Sequence, residues 1–217
     1  MLVAALLWYT DFKGDLEEKG YEFNPYDPCV ANKSINDTLH TVRFHVDDLM
    51  CSHMDPKVND DLEKWLNKMY GSHGKVTTTR GKIHDYLGMT FFDFSVKGKV
   101  MIDMIDYMKA MVDDFSTKFK SSDTAPSPAA ENIFAAGEGA DLEKQRSEEY
   151  HTFVAKGLFA CKRARPDIHP TIAVLCTRVK KPNEDDWMKL HRLLKYINGT
   201  REDKFILSAD DLHVIKW

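Results

Sequence analysis

Apolar residues recur through the first twenty positions at helical intervals. Leu2, Ala5, Leu6, Tyr9, Phe12 and Leu16 fall on one stripe, and Gly20 stands where a C-terminal cap belongs. From residue 39 the period changes to two: Leu39, Thr41, Arg43 and His45 share one face, His40, Val42, Phe44 and Val46 the other, the pattern of a strand. A short apolar run, Leu49-Met50-Cys51, follows, so the two segments read as a β-hairpin with Asp47 and Asp48 at its tip.

Asp55-Pro56 then supplies an N-cap and a first-turn proline, and Val58, Leu62, Trp65, Leu66 and Met69 form the stripe of a second helix ending at Gly71. The stretch KVTTTRGKIHDYLGMTFFDFSVKGKVMID predicts strands with a turn at Lys97-Gly98, followed by a helix over 104–119. Residues 121–149, rich in Ser, Pro, Ala, Gly and acidic residues, predict a flexible or loosely wrapped connector. Three helices are expected over 150–165, 168–181 and 184–197, separated by Pro166 and Pro182 and ended by Gly199. Helix, hairpin, helix, strands and further helices make an α+β pattern.

The 217 residues, 43% hydrophobic, suffice for one sizeable core or two modest subdomains. The apolar opening MLVAALLWYT lacks a basic leading region and runs into the charged DFKGDLEEKG, so it is a helix and not a signal peptide; a chain opening inside an apolar helix suggests a fragment. Cys29, Cys51, Cys161 and Cys176 lie far apart with no C-x-x-C pair, which fits reduced thiols and argues against secretion.

Two features carry candidate chemistry. Adjacent aspartates at a hairpin tip are either turn residues that hydrogen-bond their own backbone or oxygen ligands for magnesium. Over 151–181, seven basic residues (Lys156, Lys162, Arg163, Arg165, Arg178, Lys180, Lys181) stand against Asp167 alone, a local balance of +6 in a chain of formal charge -4. Such a stretch is a solvated surface or a phosphate-binding face.

Five blocks, GYEFNPYDPCVANK, FHVDDLM, HDYLGMTF, YHTFVAKGLFACKRARPDIHPTIAVLCTRV and DDWMKLHRLLKYINGT, resemble in the same order successive blocks of the reverse transcriptase of copia-type LTR retrotransposons. The resemblance implies RNA-directed DNA polymerisation from deoxynucleotides, with an RNA template and a DNA primer as partners. It implies a polymerase palm over 1–120, the connector, a helical thumb and connection region over 150–199, and the start of a ribonuclease H domain over 200–217, where LHVIKW resembles a first strand. Asp47 and Asp48 match the paired acids that hold two magnesium ions, Asp47 as the more direct ligand. Tyr86-Leu87-Gly88-Met89 resembles the primer grip.

Lys82 is a candidate phosphate contact or a plain surface lysine. His45 stands where the family usually has tyrosine and would touch nucleotide or primer. Lys162, Arg163, Arg165 and Arg178 would lie along the template-primer duplex, although Arg165 also reads as a structural residue at a helix break capped by Asp167. The family's third catalytic aspartate and its fingers would precede this chain, so the isolated chain is expected to be inactive and to depend on the rest of a polyprotein that includes integrase and ribonuclease H. The expected setting is a cytoplasmic virus-like particle or the nucleus, with no membrane role. The alternative is a non-catalytic retroelement product that at most binds nucleic acid or a protein partner.

Overall fold

The computed structural model describes residues 2–72, 74–86, 90–135, 137 and 139–208. The chain divides into two compact units, Met1–Gly81 and Lys82–Trp217. Each combines helices with an antiparallel sheet, the α+β class that the sequence pattern predicts. The expected palm segment, 1–120, spans the division.

In the first unit, α1 (Leu2–Glu18) and α2 (Pro56–Tyr70) cover one face of a sheet of order β1 (Glu22–Phe23), β2 (Val30–Ile35), β3 (Thr38–His45) and β4 (Asp48–Ser52). The end of α1 is a Schellman turn: Gly20 takes φ +88°, its amide bonds Glu17 O at 2.9 Å, and the Tyr21 amide reaches Leu16 O at 3.0 Å. Leu16 and Tyr21, which flank that cap, are both in the core with Phe12, Ala31, Val42, Phe44, Leu62 and Leu66. The start of α2 is capped as expected, Asp55 Oδ1 accepting from the Lys57 amide at 3.0 Å with Pro56 in the first turn. Strands β1 and β2 were not expected. Their signal was Asn36-Asp37, which adopts left-handed φ values of 51° and 58° in the tight β2–β3 turn.

The second unit holds a sheet of order β5 (Ile83–Tyr86), β6 (Thr90–Asp93), β7 (Lys99–Asp103) and β8 (Phe205–Ser208), with α3 (Ile105–Asp114), α4 (Lys144–Cys161), α5 (His169–Arg178) and α6 (Glu184–Thr200). Strand β8 returns from the end of the described chain to pair with β7. The terminal segment LHVIKW lies outside the described residues. Helix α3 stops before the expected residue 119 because Phe115 turns to an extended conformation, φ -64° and ψ 143°, and inserts fully buried against Phe153 and Trp187. Glu149 Oε1 takes up the Ser116 amide at 2.8 Å.

Helix α4 begins at Lys144, earlier than residue 150, and a 3₁₀ turn at Pro166–Ile168 joins it to α5. A reciprocal capping box opens α6, Asn183 with the Asp186 amide and Asp186 with the Asn183 amide, both at 3.0 Å. The core of this unit centres on Met108, Met111, Phe115, Tyr150, Ile168, Ile172, Leu175, Trp187, Leu190 and Leu194. Gly157 permits the close crossing of α4 and α5, since a Cβ there would lie 2.3 Å from Ile172 Cδ1.

Candidate functional site

Strand β3 alternates in burial as its sequence does. His40, Val42 and Phe44 are buried, while Leu39, Arg43 and His45 are exposed on the opposite face. Phe44 is the anchor: its ring packs edge-on against Phe12 at 5.0 Å and lies 6.0 Å from Trp8. With these inward positions set, β4 pairs in one register, Val42 with Cys51, Phe44 with Leu49 and His45 with Asp48. Two residues remain for the turn, Val46 and Asp47. The tip therefore lies one position earlier than expected, and Asp48 already belongs to β4. Val46 takes φ 55°, a left-handed conformation that costs a non-glycine residue about 1–2 kcal/mol.

Asp47, Asp48 and His45 are all exposed. His45 and Asp48 are direct cross-strand partners, so their side chains leave the sheet on the same solvent face. The arrangement is a carboxylate pair projecting from the end of a hairpin whose other face is packed on helices. Its oxygen-only donors suit magnesium, which is commonly held by one or two carboxylates with waters and substrate phosphates. Among the described residues no group of three His, Cys, Asp or Glu gathers to hold a metal, so a two-metal cluster needs a further carboxylate from outside them.

The remaining candidates lie in the second unit. Lys82 is exposed just before β5. Tyr86 is buried at the end of β5, its ring 6.2 Å from Phe92. Leu87, Gly88 and Met89 lie outside the described residues.

The basic stretch separates once partners are visible. Lys156 pairs with Asp114 at 2.8 Å, Arg178 with the buried Asp186 at 3.1 Å and Lys181 with Asp141 at 2.9 Å. Arg165 is 2% exposed, and its guanidinium donates to both Asp167 oxygens (3.0 and 2.7 Å), to Thr200 O (3.0 Å) and to Thr200 Oγ1 (2.7 Å). This is the structural alternative that R-P-D-I admits, and it leaves Arg165 no surface for a phosphate. Burial pushes the Asp167 carboxyl up, but the Arg165 hydrogen bonds and charge outweigh it, with help from the Tyr196 hydroxyl, and hold its pKa below the usual value. Arg163 lies over the Phe159 ring at 3.6 Å and bonds Phe159 O, whereas Lys162 and Lys180 are exposed.

Sequence reasoning passed over one buried polar group. His40, fully buried, sits between the Tyr21 hydroxyl at Nδ1 (2.7 Å) and Asn59 Oδ1 at Nε2 (3.0 Å). A phenol donor on one side and an amide oxygen on the other fit a neutral ring protonated at Nε2. Burial lowers the His40 pKa, and the same desolvation pushes the Tyr21 phenol up to about 12. Its place on the face of Val42 and Phe44 was the available signal.

No protein-family model and no solved structure matches the chain. It is 25% identical over 199 residues to the putative transposon Ty5-1 protein of Saccharomyces cerevisiae, covering 91% of this chain and 61% of that protein. It is 20% identical over 210 residues to the retrovirus-related Pol polyprotein from transposon TNT 1-94 of Nicotiana tabacum, covering 94% of this chain and 15% of that polyprotein. The chain thus resembles transposon-encoded proteins over nearly its whole length and spans only part of each. No described helix is long and apolar enough to cross a membrane.

Proposed function

We propose that the chain is part of the RNA-directed DNA polymerase of a copia-type retrotransposon, acting within a larger Pol polyprotein. The observation that carries this reading is the β3–β4 hairpin: two adjacent exposed carboxylates at the open end of a sheet anchored from behind by Phe44 on α1. The ordered sequence blocks and the transposon relatives support it. Asp47 and Asp48 would hold the metal, Asp47 from the turn and Asp48 from the first position of β4. Magnesium, when bound, neutralises phosphate charge and lowers the pKa of an attacking hydroxyl. His45, across from Asp48, would meet a nucleotide or the primer end on that face. In the second unit, the exposed Lys82 and Lys162 serve as contacts to a template-primer backbone, since Arg165 and Arg178 are paired with acids and Arg163 lies on Phe159.

The direct test is primer extension. The 217-residue chain alone is expected to show none, because members of a catalytic unit act together and two acids without a third do not retain a proportional share of activity. A longer polyprotein segment should extend a primer on RNA, and Asp47→Ala should abolish extension. Independently of activity, Mn²⁺ should selectively broaden the amide resonances of Asp47 and Asp48, and Asp47→Asn with Asp48→Asn should remove that broadening. Full extension by the Asp47→Ala protein would overturn the assignment.

A further inference from the structure

Residues 120–135, KSSDTAPSPAAENIFA, run antiparallel to α6 without helix or strand of their own. Their attachment is mostly polar and comes from α6. Asn198 Nδ2 donates to Lys120 O at 2.9 Å and to Asp123 O at 3.1 Å, Arg192 Nη2 to Ser127 Oγ at 3.1 Å, and Lys189 Nζ to Ala135 O at 2.7 Å. The segment's own amides donate locally, Asp123 to Lys120 O, Thr124 to Ser122 O, Ile133 to Ala130 O and Ala135 to Asn132 O. Of its large apolar side chains Ile133 is buried, while Phe134 is 81% exposed. A segment held by one apolar anchor and a few side-chain hydrogen bonds belongs to the low end of local stability.

Beneath it lie two cations in an unusual state. Lys189 is only 9% exposed; its ammonium touches Asp185 Oδ2 at 2.7 Å, and its other partner is a neutral carbonyl. Arg192 meets a neutral hydroxyl, and its Nε is buried with no acceptor among the described residues. Neutral acceptors serve cations less well than oxyanions do, charge-assisted hydrogen bonds being roughly twice as strong.

We infer that residues 120–135 are a displaceable cover over a phosphate-binding face of α6, in which the phosphodiester backbone of a nucleic acid competes with the segment's own oxygens for Lys189 and Arg192. Closed, the cover shields the two cations with a hydroxyl and a carbonyl. Open, it frees the guanidinium for a bidentate phosphate contact and leaves Lys189 shared between Asp185 and a second phosphate. The apparent affinity of the face then scales with the fraction of molecules in which the cover is open. The inference does not rest on the polymerase reading, since it uses neither Asp47 nor Asp48.

The close approach of Gly199 on α6 to Thr124 provides the test, because a Cβ on Gly199 would stand 3.1 Å from Thr124 Cβ, near the range of about 3.5–4.5 Å that a disulfide spans. The Thr124→Cys/Gly199→Cys protein, oxidised, should bind a short oligothymidylate about tenfold more weakly than the same protein reduced. The native protein, with its four cysteines, should be indifferent to the same treatment. In the native protein, bound oligothymidylate should speed amide hydrogen exchange over 120–135, and an uncharged methylphosphonate analogue should not. As a second variant, Ile133→Ala should loosen the cover and tighten binding, and adding Arg192→Gln should cancel that gain. Equal affinity in the oxidised and reduced forms, or binding that leaves exchange over 120–135 unchanged, would show a fixed structural strap and leave the polymerase reading intact. Absence of binding by the reduced and Ile133→Ala proteins would equally overturn the inference, while Asp47-dependent extension by the longer polyprotein would still uphold the polymerase reading.

Discussion

Replacing Arg165 with alanine is expected to destabilise the second unit by about 3 kcal/mol, a size that separates a buried structural arginine from a surface phosphate contact. The guanidinium is 2% exposed and ties the α4–α5 junction to the last turn of α6 through Asp167 and Thr200. A fully buried pair broken on one side loses about 3–5 kcal/mol, but the Asp167 side chain is 35% exposed, so water can resolvate it and its share falls to about 1 kcal/mol. Thr200 O loses its charged donor, worth about 1 kcal/mol, and the space left by the side chain contributes a similar amount. Urea unfolding followed by far-UV circular dichroism should therefore show a midpoint lower by about 1.5 M if the slope is about 2 kcal/mol/M.

Arg165→Lys should recover only part of the loss, because an ammonium cannot reproduce the two-pronged contact. The pH dependence follows from the lowered Asp167 pKa. A depressed carboxyl contributes stability above its unfolded value of 3.8 and loses it as pH falls through the lower folded value, so below that range the gap between native and Arg165→Ala proteins should narrow by the Asp167 share of about 1 kcal/mol, while the Thr200 and packing losses persist. A midpoint shift under about 0.3 M at unchanged slope, accompanied by weaker oligonucleotide binding, would refute the structural assignment.

Gly157→Ala should lower the melting temperature, since the new methyl meets the fully buried Ile172 Cδ1 at 2.3 Å, and overpacking at the upper end of the usual range of about 1–3 kcal/mol outweighs a gain in helix propensity of about 1 kcal/mol. Adding Ile172→Val removes the clashing methyl and should restore most of the loss; a double variant no more stable than Gly157→Ala would contradict this packing argument. His40 should titrate below 6.5 in the folded protein, so the first unit keeps its full His40 contribution above that pH and loses stability as pH falls through the lower folded value. Ring proton resonances followed with pH would decide this, and a midpoint at or above 6.5 would count against the buried neutral ring.

Local periodicity was enough to place α1, α2 and α6 and to assign the two faces of β3, because each of those patterns repeats within a few residues and is read against solvent or a single core. The same alternation put His40 on the inward face, and the Asp55-Pro56 signal opened α2 where the structure begins it. The acidic pair was legible as a hairpin feature, although its position in the turn was not. That position depends on the register of β3 with β4, which Phe44 sets by packing against Phe12, thirty-two positions earlier in the chain.

Charge partners were illegible for a related reason. A run of basic residues looks uniform along the chain, but each side chain finds its acid across a fold: Lys156 meets Asp114, Lys181 meets Asp141, and Arg165 reaches Thr200 as well as its near neighbour Asp167. The composition of 121–149 pointed to a connector, whereas α4 already begins at Lys144 and Leu142 joins the core. That composition carried no sign that Lys189, Arg192 and Asn198, three polar side chains of α6, would hold the segment in place. The strongly periodic segments, α1, α2, α6 and the two faces of β3, were settled by sequence alone, since those are short-range choices between water and a neighbour, whereas β1, β2, the end of α3 and the start of α4 were not. Which cations stay open to solvent emerged from three-dimensional packing, because ion pairing and burial belong to residues brought together from distant parts of the chain.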